Sequence, residues 1–231
     1  HTEEEAEWIK RLYKLIGSQR LIAFSADATF HIPPGDKMVQ FSYMLFDHPE
    51  KLHAQYKRAL AEEEVRIKKL VEAGAECVYM NSDYCHNRGP FLSPKQFAEF
   101  VTPYLRQQTE IIHKEGAFAI KHTDGNILPI MEELLSCGFD VLQSLDPQAG
   151  INLADMKKRF GHRICLAGNV NCGMIHSGTR EEVANDSRRA LKEGMPGGGF
   201  IFMSSNTIFE GVPLENYMAM WEVWREEGKY T

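Results

Sequence analysis

Ala119-Ile-Lys-His-Thr-Asp-Gly-Asn126 is the stretch that decides the fold. An apolar run over 117–120 leads into His122, Asp124 and Gly125, and a helical pattern follows over 127–135. This pattern predicts a buried parallel strand that delivers polar groups at its C-terminal end and then passes into a helix. In α/β proteins, that end of the strand is where ligands bind. His122 and Asp124 are two residues apart, so an extended backbone points both to one side. An imidazole and a carboxylate on one side can hold a metal, relay a proton or grip a polar substrate. Asp124 has a competing structural reading, as the cap of the helix that starts near Asn126.

Working outward, the same unit recurs. Strands are predicted at 21–26, 77–81, 117–121, 140–144, 163–167 and 199–203. Helices are predicted at 3–16, 49–73, 93–114, 127–136, 152–159, 180–193 and 213–226. Ser93-Pro94 opens its helix with a capping serine and a first-turn proline. Residues 27–37 hold His31, Pro33, Pro34 and Gly35 and read as a loop. Strands alternating with helices imply parallel pairing with right-handed crossovers. The fold class is therefore α/β, a (β/α)8 barrel of the TIM type, in one domain over 1–231. About six units are visible where a closed barrel has eight. The expectation is that the first strand units lie upstream of His1, in keeping with a start that lacks Met.

Each strand ends in residues able to do chemistry. Ser82, Asp83, Cys85 and His86 follow the second strand, and Asn169, Asn171 and Cys172 follow the fifth. Ser205 and Asn206 follow the sixth. The expectation is that Ser82, Asp83, His122, Asp124, Asn169, Asn171, Ser205 and Asn206 line one cavity at the strand mouth. His122, Cys172 and Cys85 are candidate ligands for zinc, which favours nitrogen and sulfur donors. Paired amides such as Asn169 and Asn171 suit a heterocycle edge, since each offers a donor and an acceptor. Gly197-Gly-Gly199 precedes a strand and reads as a turn, because a phosphate-cradling loop would follow one.

Composition sets the remaining bounds. A net charge of −6 disfavours nucleic acid as the main partner. No apolar run approaches the ~20 residues of a membrane span. Five scattered Cys with no CxxC fit a reducing cytoplasm. There is no phosphate-loop, Ser-His-Asp or heme-attachment motif.

From Leu21 onward the order of motifs resembles the uroporphyrinogen decarboxylase superfamily. The pieces are Asp47-His-Pro-Glu50, Val71-Glu-Ala-Gly-Ala75, Phe91-Leu-Ser-Pro94, Phe97 to Phe100, Pro103-Tyr104 and His122-Thr-Asp-Gly125. Then come Cys137-Gly-Phe-Asp-Val141, Leu166-Ala-Gly-Asn-Val170 and Pro213-Leu-Glu-Asn216. The resemblance implies a (β/α)8 barrel with its site at the strand mouth. It also implies one of two activities, decarboxylation of a porphyrinogen or methyl transfer to or from a corrinoid protein. Ser82 falls where the decarboxylases carry a serine near the porphyrinogen. Their histidine after the last strand is absent, since Met203-Ser-Ser-Asn206 stands there. The methyltransferase branch carries His-x-Cys where this chain has His122-Thr-Asp124, an oxygen donor in place of sulfur. The expectation is a zinc-assisted methyltransferase with His122, Asp124, Ser82 and Asp83 as catalytic groups. Asn169, Asn171, Ser205 and Asn206 are expected to bind substrate. Expected partners are a small-molecule substrate, a corrinoid protein and a second copy in a homodimer. A decarboxylase and a non-catalytic binding relative are the alternatives.

Overall fold

The computed structural model describes residues 2–230. These residues form two compact units. The first contains the chain up to Tyr84, Pro90–His122 and Pro129–Asp140, and the second contains Cys85–Gly89, Thr123–Leu128 and the chain from Val141 on.

The first unit has three parallel strands, β1 (Ala23–Ser25), β2 (Cys77–Met80) and β3 (Phe118–His122). Ala23 is in register with Cys77, and Cys77 with Phe118. Its helices are α1 (Thr2–Ile16), α2 (Met38–Asp47), α3 (Pro49–Glu72), α4 (Pro94–Phe100), α5 (Thr102–Lys114) and α6 (Met131–Leu135). α3 buries Leu52, Tyr56, Leu60, Ile67 and Leu70, the recurrence of a helix with one apolar face. Ile9 of α1 packs with Leu70, Ile22, Ala73 and Ala75. Arg66 of α3 binds Glu5 of α1 through two hydrogen bonds, at 2.8 and 2.9 Å.

The second unit has parallel strands β4 (Val141–Gln143), β5 (Cys165–Val170) and β6 (Phe200–Ser204). Its helices are α7 (Leu153–Phe160), α8 (Cys172–Ser177), α9 (Arg180–Gly194) and α10 (Leu214–Glu227). Asn152 and Thr179 cap α7 and α9 through side-chain oxygens, and Thr179 forms a full capping box with Glu182. Gly197, Gly198 and Gly199 all have positive φ and make the turn expected of them.

All six predicted strands are present, in parallel ladders and each followed by helix. The architecture is α/β with the alternation of a TIM-type barrel. Two local readings need correction, and one helix was not foreseen. The helix over 93–114 is two helices that meet at Val101, because Pro103 lacks an N–H and cannot donate to the carbonyl four residues before it. Residues 38–47, which carry no clear periodicity in the sequence, form α2, whose one buried side chain is Phe41. Its apolar residues Val39, Tyr43 and Phe46 are exposed, so burial gives it no clean stripe. The helix over 127–136 is a 3-10 turn, Leu128–Ile130, followed by the short α6, with Pro129 at the join. Among the described residues, no helix is long and apolar enough to cross a membrane.

Candidate active site

In the first unit, β3 alternates so that Ala119 and Lys121 are buried while Ile120 and His122 are partly exposed. Lys121 is fully buried and donates to Asp27 Oδ2 at 2.7 Å and to the Ser82 carbonyl at 3.0 Å. Its ammonium also lies 4.1 Å from the centre of the Tyr84 ring. Asp27 accepts from the Thr29 N–H and hydroxyl and from the Ser82 N–H at 2.9 Å. Burial alone would raise the Asp27 carboxyl, but the Lys121 charge and these donors outweigh it and hold it below the usual carboxylate range. Burial draws Lys121 down, against the pull of Asp27. The pair is a satisfied buried salt bridge.

Next to it, Asp83 Oδ1 lies 3.4 Å from His122 Nε2. The imidazole stacks on Tyr79 with ring centres 5.8 Å apart. Two ligands held at ~2.1 Å from a tetrahedral zinc are ~3.4 Å apart, so this nitrogen and oxygen have the spacing of one edge of such a site. A cavity of ≈ 510 Å³ opens beside Asp27, walled by Phe30, Phe41, Leu52 and Tyr56, with Lys37 and Gln55 also in its lining.

In the second unit, Asp124 accepts from the Ser144 hydroxyl and the Asn206 amide. Asp124 is thus held by side chains from two strand ends, while Asn126 Oδ1 takes the Leu128 N–H at 3.2 Å. The backbone after β4 is strained, with φ of 91° at Ser144 and 52° at Leu145. Asp146 follows, and its carboxyl is raised by burial and by the Asp124 charge, offset in part by the Gln148 N–H.

Asn169 is fully buried. Its Nδ2 donates to the Leu145 carbonyl, while its Oδ1 is left without a hydrogen-bond partner. Asn171 stands past the end of β5 and spends its Oδ1 on the N–H groups of Gly173 and Met174, so it caps α8. Ser205 is buried and accepts from the Cys172 N–H at 3.2 Å. Cys85 is buried in the short strand Cys85–His86, and Cys172 Sγ accepts from Gln148 at 3.5 Å.

Gly125 turns the chain after Asp124 with φ of 84°. A Cβ there would come within 2.7 Å of the His86 carbonyl. Gly125→Ala should therefore cost about 1–3 kcal/mol, measured by urea unfolding. A loss below about 0.5 kcal/mol would show that neither the backbone angle nor the close approach constrains this turn.

The sequence matches the uroporphyrinogen decarboxylase (URO-D) family model over residues 28–227. The chain belongs to the URO-D family. Similar curated proteins include the uroporphyrinogen decarboxylase of Pseudoalteromonas translucida, 26% identical over 88% of this chain. Another is that of Vibrio vulnificus, 28% identical over 87% of it. The chain spans 58% of the length of each of these URO-D relatives. Among solved structures, a methyltransferase from Methanosarcina mazei matches with a TM-score of 0.79 and 21% identity, covering 97% of this chain and 64% of that one. That likeness establishes the shared fold, in agreement with the barrel alternation described above.

In this URO-D chain, the residue that sequence reasoning underused was Lys121. It stood in the sequence as a lysine inside an apolar strand, which is a signal that it must be paired. Asp27, its partner 94 positions away, had no signal beyond following the first strand.

Proposed function

We propose that this URO-D family chain carries out metal-assisted methyl transfer between a small methylated substrate and a corrinoid protein. The observation that carries the reading is the sign of the charge at the strand ends. Asp83 and His122 stand there in the first unit, and Asp124 and Asp146 in the second. The lysine of β3 is already neutralised by Asp27. Such strand ends attract a cation and repel a substrate made of carboxylates, as a porphyrinogen is.

In this reading Asp83 and His122 hold one cation within the first unit, offering a carboxylate oxygen and an imidazole nitrogen. A zinc ion bound there would supply Lewis-acid activation of the oxygen or sulfur that gains or loses the methyl group. In the second unit, Asn206 and Ser144 orient the Asp124 carboxylate by hydrogen bonding. Asn169 of the second unit offers its unpaired Oδ1 to a donor on the substrate. The cavity beside Asp27 suits the organic part of that substrate.

Decarboxylation is the second reading, favoured by the names of the curated relatives. Two assays on the same zinc-supplemented preparation separate them. Methylcobalamin with a panel of small thiols and phenols should lose its methyl group, read from the cobalt absorbance spectrum. Uroporphyrinogen III should release no CO2. Carbon dioxide release with no methyl transfer would reverse the assignment.

A further inference from the structure

The residue before Asp83 is gripped by both of its backbone groups. The Ser82 N–H donates to Asp27 Oδ2 at 2.9 Å, and the Ser82 carbonyl accepts from Lys121 Nζ at 3.0 Å. The two gripping side chains bind each other at 2.7 Å. Lys121 is also the strand neighbour of His122. One side chain therefore ties the strand that presents His122 to the loop that presents Asp83.

We propose that the Asp27–Lys121 pair is a positioning device that sets the distance between Asp83 and His122. The proposal rests on the metal-site reading for its functional meaning, though the clamp itself stands on geometry within one unit. A buried ion pair is often no more stabilising than apolar residues of similar volume. Lys121 lies in a strand of Phe118, Ala119 and Ile120, where leucine or methionine would pack without desolvating a charge. What the pair adds is direction. Two of the three ammonium protons are aimed at Asp27 and Ser82, and the Tyr84 ring lies beside the same group. Asp27 accepts four hydrogen bonds, from Lys121, the Ser82 N–H and the Thr29 N–H and hydroxyl. Tyr84 reaches the Thr29 hydroxyl and closes the network beneath the loop. With its donors engaged in this way, Lys121 acts on Asp83 and His122 through the backbone of Ser82, as a positioning residue.

The test replaces both partners with apolar side chains, Lys121→Met with Asp27→Leu, so that no charge is left buried. The melting temperature should stay close to that of the parent. Amide hydrogen exchange at Asp83 and Tyr84, measured without metal, should rise at least tenfold relative to Val78 in β2. Zinc affinity should fall about 10- to 100-fold, the range for losing a group that orients a ligand. Asp83→Ala should cost far less affinity in this background than in the parent, because the clamp acts through Asp83. Unchanged exchange at Asp83 and Tyr84 overturns the proposal, whatever the metal result. A parent protein that binds no zinc sinks the metal-site reading instead, and the exchange rates then decide the clamp alone.

Discussion

Lys121→Met made alone should destabilise the protein by about 3–5 kcal/mol, in contrast to the paired replacement. The single change leaves the Asp27 carboxylate buried, its side chain 4% exposed, with no cation beside it. The Thr29 and Ser82 donors remain but do not offset a full charge. The same pair shapes the acid limb of stability. The folded-state pKa of Asp27 is lowered, so its contribution is present above the ordinary aspartate value of ~3.9 and is lost as pH falls through the lower folded value. Urea midpoints should therefore fall below about pH 4, and that slope should be shallower in Asp27→Asn. A Lys121→Met protein as stable as its parent at neutral pH would mean that Asp27 is neutral there and that the ion pair is not ionic.

His122→Ala has the largest expected functional effect. The imidazole is the one nitrogen donor of the proposed set, and losing a first ligand should reduce zinc affinity by on the order of a hundredfold or more. Methyl transfer should disappear with it. The fold should survive at a cost of about 1 kcal/mol, the usual size for one substitution. The substitution removes the stacking on Tyr79 and the approach to Asp83, while the ladder bonds of β3 to β2 stay. Far-UV circular dichroism and isothermal titration with zinc on the same sample would separate the two effects.

Much of this was legible in the sequence. Period and punctuation fixed the strands, because buried parallel strands are short apolar runs and their ends are polar. Ser93 announced its cap before Pro94, and the structure shows the complete capping box with Gln96. His122 and Asp83 were placed at strand ends by the same pattern. Other features depend on contacts that spacing does not encode. Asp27 and Lys121 meet across 94 positions, and Asp124 meets Asn206 across 82. α2 was hidden because its outward face is apolar, which removes the contrast that marks an amphipathic helix. Asn171 and Ser205 looked like ligand-binding groups by position, yet both satisfy backbone N–H groups at the start of α8. Helix starts and strand mouths coincide in this architecture, so the same polar residues suit either task.

The metal content of the purified protein tests the central claim most directly. After equilibration with zinc and removal of the excess, elemental analysis should find about one zinc per chain, and close to none in His122→Ala. A parent protein that emerges metal-free, or a His122→Ala protein that retains full occupancy, would contradict the account.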